Sequence, residues 1–283
     1  VSDTWSPSPR ELDRRAVRRR LRTRSVLTAT GLTVVVFVAL GVVAARSPGW
    51  PSVHELFFNG YHARESFDEI LHGFWINVQL FLICEPVILA AGLLIALARS
   101  ARSPWLAPLR VVAVLYTDVV RGIPTLLLVV LFGFGFPALQ LQGLPNSLFF
   151  WAAVALIVSY SAYVAEVFRS GIDSIHPSQV NSASALGLTR GQTMRHVVVP
   201  QATRRVVPPL LNDFVSLQKD TALVSSLGLF DALYSARDYG NYNFNYTPLF
   251  VVACFFIVCT VPLARLCDWL QRRWLERERA GAL

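Results

Sequence analysis

Charged side chains inside apolar runs are the groups in this sequence best placed to do chemistry. Glu85 precedes Pro86. Asp118 and Arg121 lie three residues apart, as do Glu166 and Arg169. Asp213, Lys219 and Asp220 mark a further run and its end. An ionised group at bilayer depth is costly, so each such group either meets a polar cargo or fastens helices together through an ion pair. A spacing of three puts two side chains on one helix face, so Asp118–Arg121 and Glu166–Arg169 can neutralise each other. Asp118–Arg121 reads first as a structural pair. Glu166 reads either as a contact to a cargo or as the structural partner of Arg169, and Arg169 can also snorkel to headgroups.

No catalytic constellation accompanies these charges. The sequence lacks G-x-x-x-x-G-K-[ST], H-E-x-x-H and G-x-S-x-G, so it offers no P-loop for ATP, no zinc-protease helix and no nucleophile elbow. The four cysteines lie in or beside apolar runs without C-x-x-C spacing, and the five histidines are scattered. No disulfide framework and no metal site is expected. A membrane enzyme would need convergent acid, base or metal groups, and none converge.

The elements that must position the charges are membrane helices. The chain is 54% hydrophobic and yet carries a net charge of +8. Its basic residues fall in clusters between apolar runs, which fits the positive-inside pattern and not nucleic-acid binding. A bilayer core needs roughly 20 apolar residues per helix. Six runs qualify: Val26–Ala45, Ile70–Ala98, Leu106–Leu139, Ser147–Phe168, Val197–Leu217 and Pro248–Leu266. Arg121-Gly122-Ile123-Pro124 breaks the third, and unwound backbone at membrane depth is tolerated where it is buried in protein or lines a wet cavity. A simple Pro kink is the alternative.

Arg10, Arg14, Arg15, Arg18, Arg19, Arg20, Arg22 and Arg24 precede the first run. Arg99, Arg102 and Arg110 follow the second. Arg169, Arg190, Arg195, Arg204 and Arg205 follow the fourth. Arg272, Arg273, Arg277 and Arg279 follow the sixth. The opposite loops hold only Arg46, Arg64, Lys219 and Arg237. Both termini and the 170–196 segment are therefore expected to be cytoplasmic. The expected organisation is a basic arm over 1–24, disordered or held on anionic headgroups, and a helix over 25–46. A transmembrane domain over 70–268 follows, with a cytoplasmic segment at 173–196 and a basic tail over 269–283. The first run exceeds the 7–15 residues typical of a signal-peptide core, so it reads as a retained helix. The aromatic stretch Tyr234–Tyr246 reads as an interfacial belt or an outer docking surface.

Between the fourth and fifth runs the chain exposes a polar segment with a Gly-Leu turn at Gly187–Leu188, where another protein could push on it. The surrounding residues resemble the permease subunits of ABC importers for polar amino acids, the histidine, glutamate, glutamine and arginine group. The likeness runs from about Leu71 to Trp269. The family's RGTP motif, preceded by Tyr and an acidic residue, is similar to Tyr116-Thr117-Asp118-Val119-Val120-Arg121-Gly122-Ile123-Pro124. Its SAYxAExxRxGIxSI stretch resembles Ser161–Ile175. Its EAA loop resembles Gln179-Val180-Asn181-Ser182-Ala183-Ser184-Ala185-Leu186-Gly187-Leu188. Its LPQAxRxxxPPLxN and KDT stretches resemble Val199–Arg204, Pro208–Asn212 and Lys219–Thr221. The chain departs from the family at Asn181, which stands for the EAA Glu, and at Ser182, which stands for the first Ala. It departs again at Leu128, where Gln is usual after RGTP, and at Asn77, which stands for a Thr.

The resemblance implies an all-α polytopic fold of type I, a five-helix core with one extra N-terminal helix, in the cytoplasmic membrane of a prokaryote. It implies a second permease chain, a pair of ABC ATPase subunits that hold ATP and Mg, an extracytoplasmic binding protein and a polar amino acid as cargo. This chain itself would bind no cofactor. The coupling residues it implies are Gln179, Asn181, Ser182, Ala183, Gly187 and Leu188, and Asn77 and Leu128 fall where its transport path would run. An amino acid needs an acceptor for its ammonium and donors for its carboxylate. Glu166 is the candidate acceptor, Arg121 the candidate donor if Asp118 leaves it free, and the amides of Asn77 and Asn212 offer both. The alternative is a secondary amino acid transporter, for which the sequence shows no internal inverted repeat.

Overall fold

The computed structural model describes residues 8–281 apart from Arg102 and Leu141. Residues 1–7 of the basic arm, Arg102 and the last two residues of the tail lie outside the described residues, as do the side chains of Arg190, Arg277 and Arg279. The described residues form helices and turns, in two compact units over 1–55 and 56–283.

The first unit is dominated by α1 (Pro9–Ala45), followed by the start of α2 (Trp50–Phe57). Of the two readings of the arm, disordered or held on headgroups, the first is corrected over Pro9–Arg24, which is helical and continuous with the apolar run. The local causes are legible. Ser8 caps the Glu11 amide, Pro9 takes the first helical position, Glu11 pairs with Arg15 at 3.1 Å, and arginine is a good helix former.

The second unit contains α3 (Gly60–Glu65), α4 (Phe67–Ser100), α5 (Ala107–Gly122) and α6 (Thr125–Val130). After a π turn come α7 (Phe136–Ala138) and α8 (Leu148–Asp173). Then follow α9 (Pro177–Ala185), α10 (Arg190–Thr193), a second π turn and α11 (Val199–Asp220). Last come α12 (Ala232–Asn243) and α13 (Thr247–Gly281). The long helices α4 and α8 are the centre of the packing. Leu80, Phe81, Cys84 and Ile88 of α4 bury against Ala152, Ala155, Leu156, Tyr160 and Val164 of α8. The alanines of α8 and Gly92 of α4 let the two backbones approach; a Cβ at Gly92 would collide with Val164. Gly171 does the same for α8 and α11, where a Cβ would meet Val206.

Among the described residues four helices are long and apolar enough to cross a membrane: Pro9–Ala45, Phe67–Ser100, Leu148–Asp173 and Thr247–Trp274. The third expected run is not one straight span. Its limbs, Pro104–Gly122 and Thr125–Ala138, bend by 105°. Pro124 lacks an amide donor and drives Ile123 to extended backbone (φ −102°, ψ 130°), so the chain turns there. The fifth expected run lies on α11, 22 residues long and helical throughout. It carries Gln201, Arg204, Arg205, Asn212, Asp213 and Gln218, so it is less apolar than the other spans; Gln218 is buried, while Arg204, Arg205 and Asn212 are exposed.

Candidate functional site

Two features stand out at the end of the bundle where α8 meets α9. The first is a short exposed lever. His176 caps α9 by accepting the Ser178 amide at 3.2 Å, and Pro177 opens the helix. Nine residues later α9 closes through a paired-bond turn. The Gly187 amide donates to the Ser184 carbonyl at 3.0 Å, and the Leu188 amide reaches back to Ala183 at 3.1 Å. That geometry requires a left-handed residue at the turn, and Gly187 supplies it at φ +82°. Thr189 and Gln192 then cap α10 reciprocally: the Thr189 amide donates to Gln192 Oε1 at 2.9 Å, and the Gln192 amide donates to Thr189 Oγ1 at 3.3 Å. The chain thus leaves one helix and enters the next with both ends capped, which makes the segment stiff.

Gln179, Asn181, Ser182 and Gly187 are exposed on this lever, and Leu188 is half-buried. Ala183 is buried and anchors α9. Leu186, quoted in the EAA-like stretch but not among the coupling residues, stands 83% exposed beside the turn. An apolar side chain stands here at the surface beside a capped turn. Its exposure was hidden because Leu186 continues a run of small residues and belongs to no charged or polar pattern.

The second feature is an ion network around Glu166. Arg99 Nη1 donates to Glu166 Oε2 at 2.8 Å, Arg169 Nη2 donates to Oε1 at 2.5 Å, and Arg121 Nη1 lies 3.6 Å from Oε2. Arg169 also donates to Asp173 at 2.5 Å. One carboxylate therefore joins α4, the end of α5 and α8. The same-helix pair with Arg169 forms as the spacing suggests. The Asp118–Arg121 pair does not form among the described residues. Asp118 is exposed, and Arg121 turns instead to Glu166 and to the Tyr163 ring, 5.8 Å from its centroid. Arg99, 67 residues from its partner, carried no signal in the sequence that linked it to Glu166.

Of the residues expected along a transport path, Arg121 and Glu166 meet, while Asn77 and Leu128 are taken up in packing. Asn77 is buried with both amide ends engaged: Nδ2 donates to Asp231 at 3.0 Å, and Oδ1 accepts the Ala232 amide at 3.1 Å. It fastens α4 to the start of α12. Leu128 is buried in a cluster with Val120 and Ala162, away from any open surface. Asn212 is exposed on α11. Glu166 is already met by three guanidinium groups, which leaves it poorly placed to accept an ammonium. Three polar ties join the spans where sequence spacing is silent. Tyr116 donates to the Val158 carbonyl at 2.7 Å, Tyr160 donates to Asp220 at 2.7 Å, and Thr260 donates to Gln218 at 2.5 Å. Glu85 and Asp213 lie within electrostatic reach of each other, and Asp213 Oδ2 is buried with no hydrogen-bond partner among the described residues.

Comparison with known proteins follows the same outline. The family described as "Binding-protein-dependent transport system inner membrane component" matches residues 88–276. The chain is 31% identical over 205 residues to the arginine transport system permease protein ArtQ of Bacillus subtilis (strain 168), covering 72% of this chain and 91% of the relative. It is 30% identical over 213 residues to the probable glutamine ABC transporter permease protein GlnM of the same organism, covering 74% and 94%. Among solved structures it resembles an amino acid ABC transporter with histidines, with a TM-score of 0.67 and 30% identity over 74% of this chain and 95% of that one. The MetNI methionine ABC transporter in inward-facing conformations shares the fold at a TM-score of 0.57 and 19% identity, over 72% and 95%.

Proposed function

The chain belongs to the family of binding-protein-dependent transport system inner membrane components, as a membrane-spanning permease subunit, and we propose that its cargo is a polar amino acid or a close analogue. The names of the arginine and glutamine permeases that it resembles along most of both chains support that cargo. Family membership also supports its partners: a pair of ABC ATPase subunits that hold ATP and Mg, a second permease chain, and an extracytoplasmic binding protein. The clustering of arginines supports an orientation in the cytoplasmic membrane with both termini and the 173–196 segment cytoplasmic.

The observation that carries the mechanism is the stiff α9 turn closed by Gly187. A motor on a separate chain needs a rigid, exposed element between two spans to push on, and α9 stands between α8 and α11. Gln179, Asn181, Ser182, Leu186, Gly187 and Leu188 form the face offered to the ATPase, with Ala183 seating it. Asn181 and Ser182 bring no carboxylate, so the contact is made by hydrogen bonds and the Leu186 side chain. ATP binding on the partner then supplies the differential stabilisation that moves the spans between inward-open and outward-open states.

On the cargo side, Arg121 is the group we assign to the carboxylate. It is partly exposed, it adjoins the bent third run, and Asp118 does not neutralise it. Asn212 is the remaining amide with exposed surface. The reading is tested by purifying the chain with its neighbours and asking whether a P-loop ATPase and an amino-acid-loaded binding protein associate. Uptake driven by an ion gradient, with no ATPase bound, overturns it in favour of a secondary transporter.

A further inference from the structure

The network around Glu166 has three unequal arms. Arg99 is only 11% exposed and makes a charge-assisted hydrogen bond to Oε2. Arg169 holds Glu166 from its own helix and continues to Asp173. One residue further along, the Ser174 carbonyl accepts from Arg205 of α11. Arg121 is different: at 3.6 Å it makes no hydrogen bond, and it is 39% exposed. It is also the last charged residue before Gly122 and the 105° bend. The strong arms bind Glu166 into α4 and α8, beside the stiff α9 lever. The weak arm reaches across to the bend.

Resting on the permease reading above, we propose that Glu166 is a positioning residue, and that its contact with Arg121 is a latch between the lever end of α8 and the bend in the third run. The latch holds the bend against α8 in the state described here and releases when the spans rock. A salt bridge confined to one of two conformations contributes its free energy only to that conformation, so its loss shifts the population toward the other. The strong arms do not release, because Arg99 would leave an unpaired buried charge. Arg121 can leave, because solvent and the Tyr163 ring receive it.

The test uses the assembled permease–ATPase complex in lipid nanodiscs with its binding protein. It reads ATP hydrolysis without cargo and cargo moved per ATP. Glu166→Gln nearly preserves volume and removes the charge that holds Arg121. Arg121→Gln removes only the weak arm and leaves Arg99–Glu166–Arg169 intact. Both are expected to raise cargo-free hydrolysis about two- to fivefold, the shift that loss of a partly exposed ion pair produces, and to lower cargo per ATP. Glu166→Asp, one methylene shorter, is expected to fall between them and wild type. If Glu166→Gln does not assemble, Arg121→Gln decides. Cargo-free hydrolysis at the wild-type level in Arg121→Gln overturns the latch, even where uptake falls because the cargo contact is lost, and the permease reading then stands. Failure of the wild-type chain to associate with any ATPase overturns both.

Discussion

Asn77 Nδ2 donates to Asp231 Oδ2 at 3.0 Å while its Oδ1 accepts the Ala232 amide at 3.1 Å, so a single amide on α4 seats the first turn of α12. Asp231 caps the same turn by accepting the Tyr234 amide at 2.9 Å. Close approach is allowed by Gly73, where a Cβ would lie 2.5 Å from the Asp231 carbonyl carbon. Backbone, cap and amide thus form one buried joint between distant parts of the chain.

Replacing Asn77 with Leu keeps the branched shape but leaves a buried carboxylate oxygen and a buried amide without partners. Each unmet group costs about 1–3 kcal/mol, so the variant is expected to lose about 2–6 kcal/mol of stability. Thermal unfolding in detergent measures it. In a double-mutant cycle with Asp231→Ala, the combined loss should be smaller than the sum of the singles. Strict additivity would show that the two residues do not act through each other.

Burial also pushes the Asp231 carboxyl up, from 3.8 to about 6, although Asn77 and the Tyr234 amide favour its charged form. The sign follows directly. The folded chain prefers the protonated acid, so this group's contribution is fully present below about pH 4. It is lost as pH rises to about 6, and above that the buried charge costs at most about 3 kcal/mol. Stability of the wild type should therefore fall between pH 4 and pH 6 by more than that of Asp231→Asn. Asn presents a donor toward the Asn77 amide and shifts stability by a pH-independent amount, so the slope and not the absolute value is the readout. Equal slopes would remove Asp231 as the titrating group.

At the lever, Gly187 sits at φ +82° with open space around it. Backbone strain and not collision is therefore what a side chain there would bring. Gly187→Val should disturb the α9 turn by about 1–2 kcal/mol without removing the protein from the membrane. ATP hydrolysis and uptake are expected to uncouple, with hydrolysis persisting and uptake falling. Normal uptake by Gly187→Val is the result that sinks the lever.

What the sequence made legible follows from what local chemistry controls. Apolar runs of bilayer length became helices, Pro124 became a bend, and Gly187 became a helix end, because each depends on a few adjacent residues. The helix over Pro9–Arg24 is equally local, held by the Ser8 cap and the Glu11–Arg15 pair, yet its dense positive charge is also the pattern of a disordered arm. Partner choice was not legible. A spacing of three allows Asp118 and Arg121 to meet, but it does not forbid Arg121 from finding Glu166 on another helix. Asn77 looked like a path residue because it stands where the resembled family's transport path would run. Only the fold reveals that Asp231, 154 residues away, consumes it.

Leu186 provides the last prediction, because it separates a docking contact from a structural one. It is 83% exposed, so the isolated chain gains almost nothing from it, and Leu186→Ala should leave unfolding of the purified permease within about 0.5 kcal/mol of wild type. The neighbouring Ala183 is buried, and Ala183→Leu should destabilise the chain itself by about 1–3 kcal/mol through overpacking. If Leu186 fills a pocket on the ATPase, its truncation loses the burial of a leucine side chain, about 1.5–3 kcal/mol, which is roughly a ten- to hundredfold weaker association. Titrating the ATPase subunit against permease in nanodiscs measures that loss. An unchanged dissociation constant for Leu186→Ala, with Gly187→Val still uncoupled, would place the contact on the polar residues Gln179, Asn181 and Ser182, and would leave Leu186 as a side chain exposed for some other reason.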